Sequence, residues 1–313
     1  GREGWRKTAW ALSCSYLVLI FGSVPWLMSA PDPSFDPHET EIVPMSPWRG
    51  IDWAELFCHR DLFWFLVWRE IKARYAQSIL GVGWAVLHPL IHMVVFTVVF
   101  GRLLEIDSQG RPYALFSFVA LVPWTYFVSA TNASTNSLVG NTRLLTKVYM
   151  PRLFFPATPV IAKLIDFIIA SCMLVLLMLA YLATGHRFAL SADLLVLPLL
   201  IAIMMLTALG LGMWLSALAV KYRDVRFALG FMTQLMLFAA PVAWPASKIP
   251  ETYQMWYGLY PMAGVIEGFR AAILQTRPMP WELIVPGAAS SVVIFVGGLV
   301  VFRRMERYFA DVA

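Results

Sequence analysis

Few positions in this chain carry residue types that do chemistry, and most of them lie inside apolar stretches. His88 and His92 are four apart, a spacing that puts two imidazoles on one helical face and suits a metal. No nearby glutamate completes a ligand set, so the pair reads as packing or as polar lining of a cavity, not as a zinc site. Glu267 and Arg270 are three apart, as are Lys163 and Asp166, which lets each pair meet on one helix face. Lys163 and Asp166 fit a structural ion pair in which the lysine reaches outward. Glu267 and Arg270 fit a closing pair, a contact to an anionic group, or a structural pair. Cys14, Cys58 and Cys172 show no paired spacing and point to neither a disulfide framework nor a zinc site. The phosphate-loop pattern G-x-x-x-x-G-K-[ST] does not occur, so an ATPase activity of the chain's own is not expected. Gly81, Gly83, Gly210 and Gly212 read as points of close helix packing, not as a nucleotide fingerprint.

The elements that would position these residues are set by composition. Hydrophobic residues make up 59% and charged residues 14%, where soluble domains carry roughly 25% charged. A spanning helix needs about 20 apolar residues. Residues 78–101, 112–142, 167–185, 194–220, 227–247 and 283–302 contain no Asp, Glu, Lys or Arg. The net charge of +5 is unevenly placed, with basic clusters at 60–74, 143–152, 221–226 and 303–307. With six alternating crossings these clusters share one side, and the positive-inside rule makes that side cytoplasmic, together with both ends of the unit. Clusters that border spans suit anionic headgroups and an acidic cytoplasmic partner better than nucleic acid.

Residues 1–50 form an atypical extension. Arg2, Arg6 and Lys7 precede an apolar stretch at 9–28 and a loop rich in proline and acid at 31–47. This resembles a signal peptide or signal anchor, although no clear cleavage site follows. It is either an extra membrane-associated segment or a product of start-site choice or processing. Residues 51–313 form the main domain. Residues 61–79 read as an amphipathic helix lying in the membrane interface, with Trp64 and Trp68 at headgroup level and Arg69, Lys72 and Arg74 on a basic face. Spans are expected near 83–101, 113–133, 157–184, 194–220, 227–240 (cut short by Pro241 and Pro245) and 284–302. Residues 250–277 are apolar and aromatic, but Pro261 cuts them into pieces too short to cross. Two half-helices dipping into the outer leaflet fit this pattern, forming a re-entrant element between helices five and six. The expected fold is an all-α membrane protein: six transmembrane helices, an N-terminal interface helix and a re-entrant periplasmic gate.

That order, with its local sequence, resembles the ABC-2 type permeases that export O-antigen, capsular polysaccharide and teichoic acid. The segments RDLFWFLVWREIKARYAQSILGVGWAVLHPL (60–90), RLLTKVYMPRLFFP (143–156), YRDVRFALGF (222–231) and PMAGVIEGFRAAIL (261–274) carry the resemblance. It covers residues 50–313 and leaves the extension outside.

The resemblance implies a homodimer in the bacterial inner membrane, working with two copies of a separate ATPase subunit that binds ATP and magnesium, and no cofactor in this chain. It implies outward movement of a lipid-linked polysaccharide, as in lipopolysaccharide biosynthesis. A coupling helix that seats on the ATPase would use Arg143, Lys147 and Arg152 for charge and Leu144, Val148 and Tyr149 as anchors. Rings can pack on the C–H faces of sugars, which makes Trp84, Tyr113, Phe116, Phe118, Trp124, Tyr126 and Phe127 candidates for a sugar path. Tyr253, Trp256, Tyr257 and Tyr260 would stand at its exit. Glu267 and Arg270 would close a periplasmic gate or meet a pyrophosphate headgroup. For any one of these rings an interfacial belt or ordinary packing is the favoured reading over the path. Two other readings are an ABC-2 exporter of small hydrophobic molecules and a membrane-embedded lipid-sugar transferase or O-acyltransferase. The second would need a convergent acid, base or metal cluster, which the sequence does not offer.

Overall fold

A computed structural model describes residues 53–76, 81, 83–142, 144, 150–185 and 191–312. The atypical extension 1–50 therefore lies outside the described residues. The chain divides into two compact units, residues 1–60 and 61–313. In the first, the described helix is short, α1 (Trp53–Cys58). The second is helical, with no strand among the described residues.

The second unit begins with α2 (Arg60–Tyr75), which is apolar on more than one side. Leu66 and Val67 are buried and Phe63 packs on Phe154, whereas Trp64, Phe65 and Trp68 are exposed. Next come α3 (Gly83–Phe96), with a π-helical continuation Thr97–Leu103, and α4 (Tyr113–Gly140). A bent pair follows, α5 (Phe154–Ala162) and α6 (Leu164–Ala183), joined at Lys163. Then come α7 (Leu197–Lys221), α8 (Asp224–Ala239), α9 (Glu251–Gly258), α10 (Pro261–Leu274) and α11 (Trp281–Val312).

Among the described residues five helices are long and apolar enough to cross a membrane: Gly83–Leu103, Tyr113–Gly140, Phe154–Ala183, Ala192–Lys221 and Trp281–Glu306. α8 has 16 residues. At 1.5 Å each it reaches about 24 Å, short of the roughly 30 Å hydrocarbon core. It stops because Ala240 turns extended and Pro241 cannot continue the ladder. Pro261 divides the outer stretch as its position implied. Tyr260 is extended, and Pro261 opens α10 where its missing N–H has no helical role.

The core is built around α4. Buried positions make up 78% of its membrane-length window, against 33% or less for the other four. Ser117, Thr131, Ser134, Thr135 and Ser137 on it are buried; the hydroxyls of Ser117, Thr135 and Ser137 donate to the helix's own carbonyls and that of Ser134 to a neighbour's. Tyr126 donates to the Val160 carbonyl at 2.9 Å and Ser134 to the Pro156 carbonyl at 2.8 Å, which fixes α4 against the bent α5–α6 pair. Small residues set the other approaches. A Cβ on Gly212 would lie 2.1 Å from Ser134 Oγ, and one on Gly210 would lie 2.7 Å from the Phe295 backbone. The hydroxyls of Thr207 and Ser291 meet at 2.9 Å across the same α7–α11 seam.

Candidate functional site

A cavity of about 500 Å³ opens between the end of α2 and helices α3, α4, α6 and α8. Its walls combine indole and imidazole rings (Trp84, Trp124, His88, His92) with the hydroxyls or amide of Thr125, Ser129, Thr233 and Gln234. The two imidazole rings lie with centroids 4.5 Å apart and planes tilted by 49°, and His92 Nδ1 lies 2.8 Å from the His88 carbonyl oxygen. Among the described residues no group of three His, Cys, Asp or Glu side chains could hold a metal. Both rings stand on the cavity wall.

One wall of the cavity is charged. Asp166 Oδ2 accepts from Lys163 Nζ at 2.9 Å and from Arg74 Nη1 at 3.1 Å, while Tyr75 donates its hydroxyl to Oδ1. Burial first, and then the Asp166 carboxylate, push the Tyr75 hydroxyl up to about 12. The Lys163–Asp166 pair follows from its spacing. Its extension to Arg74 and Tyr75, some ninety residues away in sequence, does not. A second link holds α2 near its middle: Arg69 Nη2 donates to Asn141 Oδ1 at 2.8 Å, at the residue that ends α4. Lys72 is exposed on the same helix.

The pair Glu267 and Arg270 lies on α10, wholly buried. Their groups are 2.9 Å apart. Arg270 also donates to the carbonyls of Val242 at 2.7 Å, Trp244 at 3.3 Å and Phe116 at 3.4 Å, and its guanidinium sits over the Phe116 ring. Tyr113 takes the intervening carbonyl, Ala243, at 2.7 Å, and Glu267 Oε1 accepts from the Ala246 amide at 3.0 Å. Residues 240–246 leave the helical ladder after α8, and three successive carbonyls there need donors that lipid cannot supply. Arg270 supplies two of them and Tyr113 the third. Arg277 Nε approaches the second Glu267 oxygen at 3.4 Å. Neither Glu267 nor Arg270 presents a group to a passing pyrophosphate in this conformation.

The aromatic candidates separate into classes that the sequence could not distinguish. Phe116, Phe118 and Phe127 are core residues packed inside the chain, whereas Tyr126 is buried in the core and also lines the cavity. Tyr113 is half-buried and tied to the 240–246 stretch. Trp84 and Trp124 do reach the cavity, Trp84 largely exposed and Trp124 almost wholly buried. On the outer pair, Tyr253 and Trp256 are exposed, Tyr257 donates to the Ala239 carbonyl at 2.7 Å, and Tyr260 is half-buried. Of the coupling residues, Arg143, Lys147, Val148 and Tyr149 lie outside the described residues. Leu144 is half-buried. Arg152 bonds the Glu306 carbonyl and faces its carboxylate at 4.0 Å, so α11 already holds some of the charge expected to meet a partner. Thr233, Gln234 and the two histidines complete the cavity, and no motif had marked the first two.

A family model described as ABC-2 type transporter matches residues 61–274, which hold the cavity, the Asp166 cluster and the Arg270 centre. The chain is 29% identical to the O-antigen export system permease protein RfbA of Myxococcus xanthus over 82% of its length and 97% of that protein's. It is 23% identical to a protein of the same description from Klebsiella pneumoniae, over 80% and 95% of the two chains. It is 25% identical to the polysialic acid transport protein KpsM of Escherichia coli, over 66% and 78%.

Proposed function

Because the chain belongs to the ABC-2 type transporter family, we propose that it is the membrane-spanning permease of an inner-membrane exporter of lipid-linked polysaccharide. The observation that carries this is similarity to polysaccharide export permeases over 66–82% of the chain, combined with a ring-walled cavity at the heart of the matched region. On this reading two copies of the chain pair, and two copies of a separate ATPase subunit hold ATP and magnesium and drive the cycle. Work enters through residues 142–152, and α9 and α10 form the re-entrant outer element that completes a six-crossing domain with α8. The cavity is where the lipid-linked end of the glycan first meets the chain, with Trp84 and Trp124 offering faces to a sugar ring.

The test is reconstitution of the chain with its ATPase in proteoliposomes loaded with a polyprenyl-diphosphate-linked glycan. ATP hydrolysis should carry the glycan across. Equal transfer without ATP or without the ATPase would sink the reading, as would glycosyl transfer by the chain alone.

A further inference from the structure

Where residues 142–152 return to the bundle, the chain is firmly seated. Met150 and Pro151 are buried, and the amides of Phe154 and Phe155 donate to the carbonyls of Pro151 and Arg152 at 3.0 and 3.2 Å, opening α5. From this turn Arg152 reaches α11, 154 residues further along the chain. Its Nη1 donates to the Glu306 carbonyl oxygen, and its Nε faces the Glu306 carboxylate at 4.0 Å. Arg303, nearly one helical turn earlier, donates to the other carboxylate oxygen at 3.4 Å. One guanidinium thus grips both the backbone and the side chain of a single residue, and a second steadies that side chain. Glu306 is the only acid between Glu282 and Asp311, set among Arg303, Arg304 and Arg307. The positive-inside rule accounts for those arginines but not for the glutamate.

The helix that Arg152 grips is suited to carry a displacement. α11 is one helix of 32 residues. At 1.5 Å each it is about 48 Å long, more than the roughly 30 Å hydrocarbon core. Its outer end packs backbone to backbone on α9 and α10. A Cβ on Gly264 would lie 2.6 Å from the Leu283 carbonyl oxygen, and one on Gly258 would lie 3.1 Å from that of Glu282. Contacts this close transmit strain instead of absorbing it. A contiguous packed route therefore runs from the turn at 150–152, along α11, to the outer pair of helices.

We propose that Glu306 is the positioning residue through which α11 takes up movement of residues 142–152 and carries it to α9 and α10. The proposal rests on the export reading above and adds to it the path by which the stroke crosses the membrane. The half-exposed pair contributes little to folding; it keeps the turn and α11 moving as one body.

The experiment uses the full chain with its ATPase in proteoliposomes. The native cysteines are replaced by alanine, and a bimane label is placed at Met255→Cys, an exposed position on α9. It reads the ATPase retained by the complex, the glycan exported per ATP hydrolysed, and the change in bimane emission on adding ATP and vanadate. Glu306→Gln should keep the parent's melting temperature and its ATPase, export several-fold less glycan per ATP, and lose most of the emission change. Arg304→Gln, exposed on the same helix, is the matched control and should alter none of the three. At saturating ATPase, Arg152→Gln should resemble Glu306→Gln, and the double variant should be no worse than the poorer single, because both act through one contact. Losses that multiply in the double variant, or full export and emission change in folded Glu306→Gln, overturn the proposal. Loss of the ATPase from Glu306→Gln would place this residue in the subunit contact itself and overturn it too. A parent chain that exports no glycan would sink the export reading alone, since an emission change that depends on Glu306 would still support the path.

Discussion

The guanidinium carbon of Arg270 lies 3.6 Å from the centre of the Phe116 ring, and both residues are sealed from solvent. A cation this deep needs full compensation. It finds it in the ring face, one carboxylate and three carbonyls. Arg270→Lys cannot reproduce that fork. It is expected to cost about 3–5 kcal/mol, the range for breaking a buried pair, and Glu267→Gln a comparable amount. Thermal unfolding in detergent, followed by size exclusion, measures both. A melting temperature for Arg270→Lys equal to that of the parent would show that the 240–246 stretch is held by other means.

The α7–α11 seam makes a second stability prediction. A Cβ on Gly298 would meet the Gly210 carbonyl oxygen at 2.2 Å, a backbone contact that cannot rotate away. Gly298→Ala should destabilise by about 1–3 kcal/mol through overpacking. Gly297→Ala, one position earlier and facing open space, is the matched control and should be neutral or slightly stabilising. Equal melting of the two variants would refute the seam.

Two tryptophans reach the same cavity from different surroundings. Trp124 is 4% exposed and Trp84 53%. Trp124→Ala should therefore lose about 3–5 kcal/mol of stability, whereas Trp84→Ala should leave unfolding unchanged and reduce glycan export, with Trp84→Phe recovering much of it. Normal export by a well-folded Trp84→Ala protein would remove that ring from the sugar path.

Arg69 and Asn141 join the middle of α2 to the end of α4, next to the segment proposed to meet the ATPase. A half-exposed hydrogen bond of this kind contributes no more than about 1 kcal/mol to stability. Arg69→Gln should therefore fold normally yet export several-fold less glycan for each ATP hydrolysed. An unchanged ratio of export to hydrolysis would show that α2 takes no part in transmitting the stroke.

Much of this architecture is legible in the sequence because charge and proline punctuate it. Five of the six uncharged runs correspond to the membrane-length helices, the sixth holds the shorter α8, Pro241 marks the end of α8 within two residues, and Pro261 starts α10. The Lys163–Asp166 pair was legible because three residues of helix bring its members together. Which apolar helix is central was not legible, since lipid and a protein core select the same side chains. For that reason Phe116 and Phe127 resemble path-lining rings in the sequence and are core in the fold. The links from Asp166 to Arg74 and Tyr75 depend on how α2 packs against α6, which no local spacing encodes.

The enclosure of α4 also bears on how the chain is made. It is the least apolar of the five membrane-length helices and the most thoroughly covered. It is translated early, while α7 and α10, which cover much of it, come far later. Freshly inserted α4 must therefore wait in lipid with its serines and threonines answered only by its own carbonyls. Its final surroundings assemble only after α7 and α10 have been made. Biogenesis of this protein is accordingly vulnerable between the insertion of α4 and that of α10, and lesions in α7 or α10 should send α4 to quality control even though α4 itself is intact.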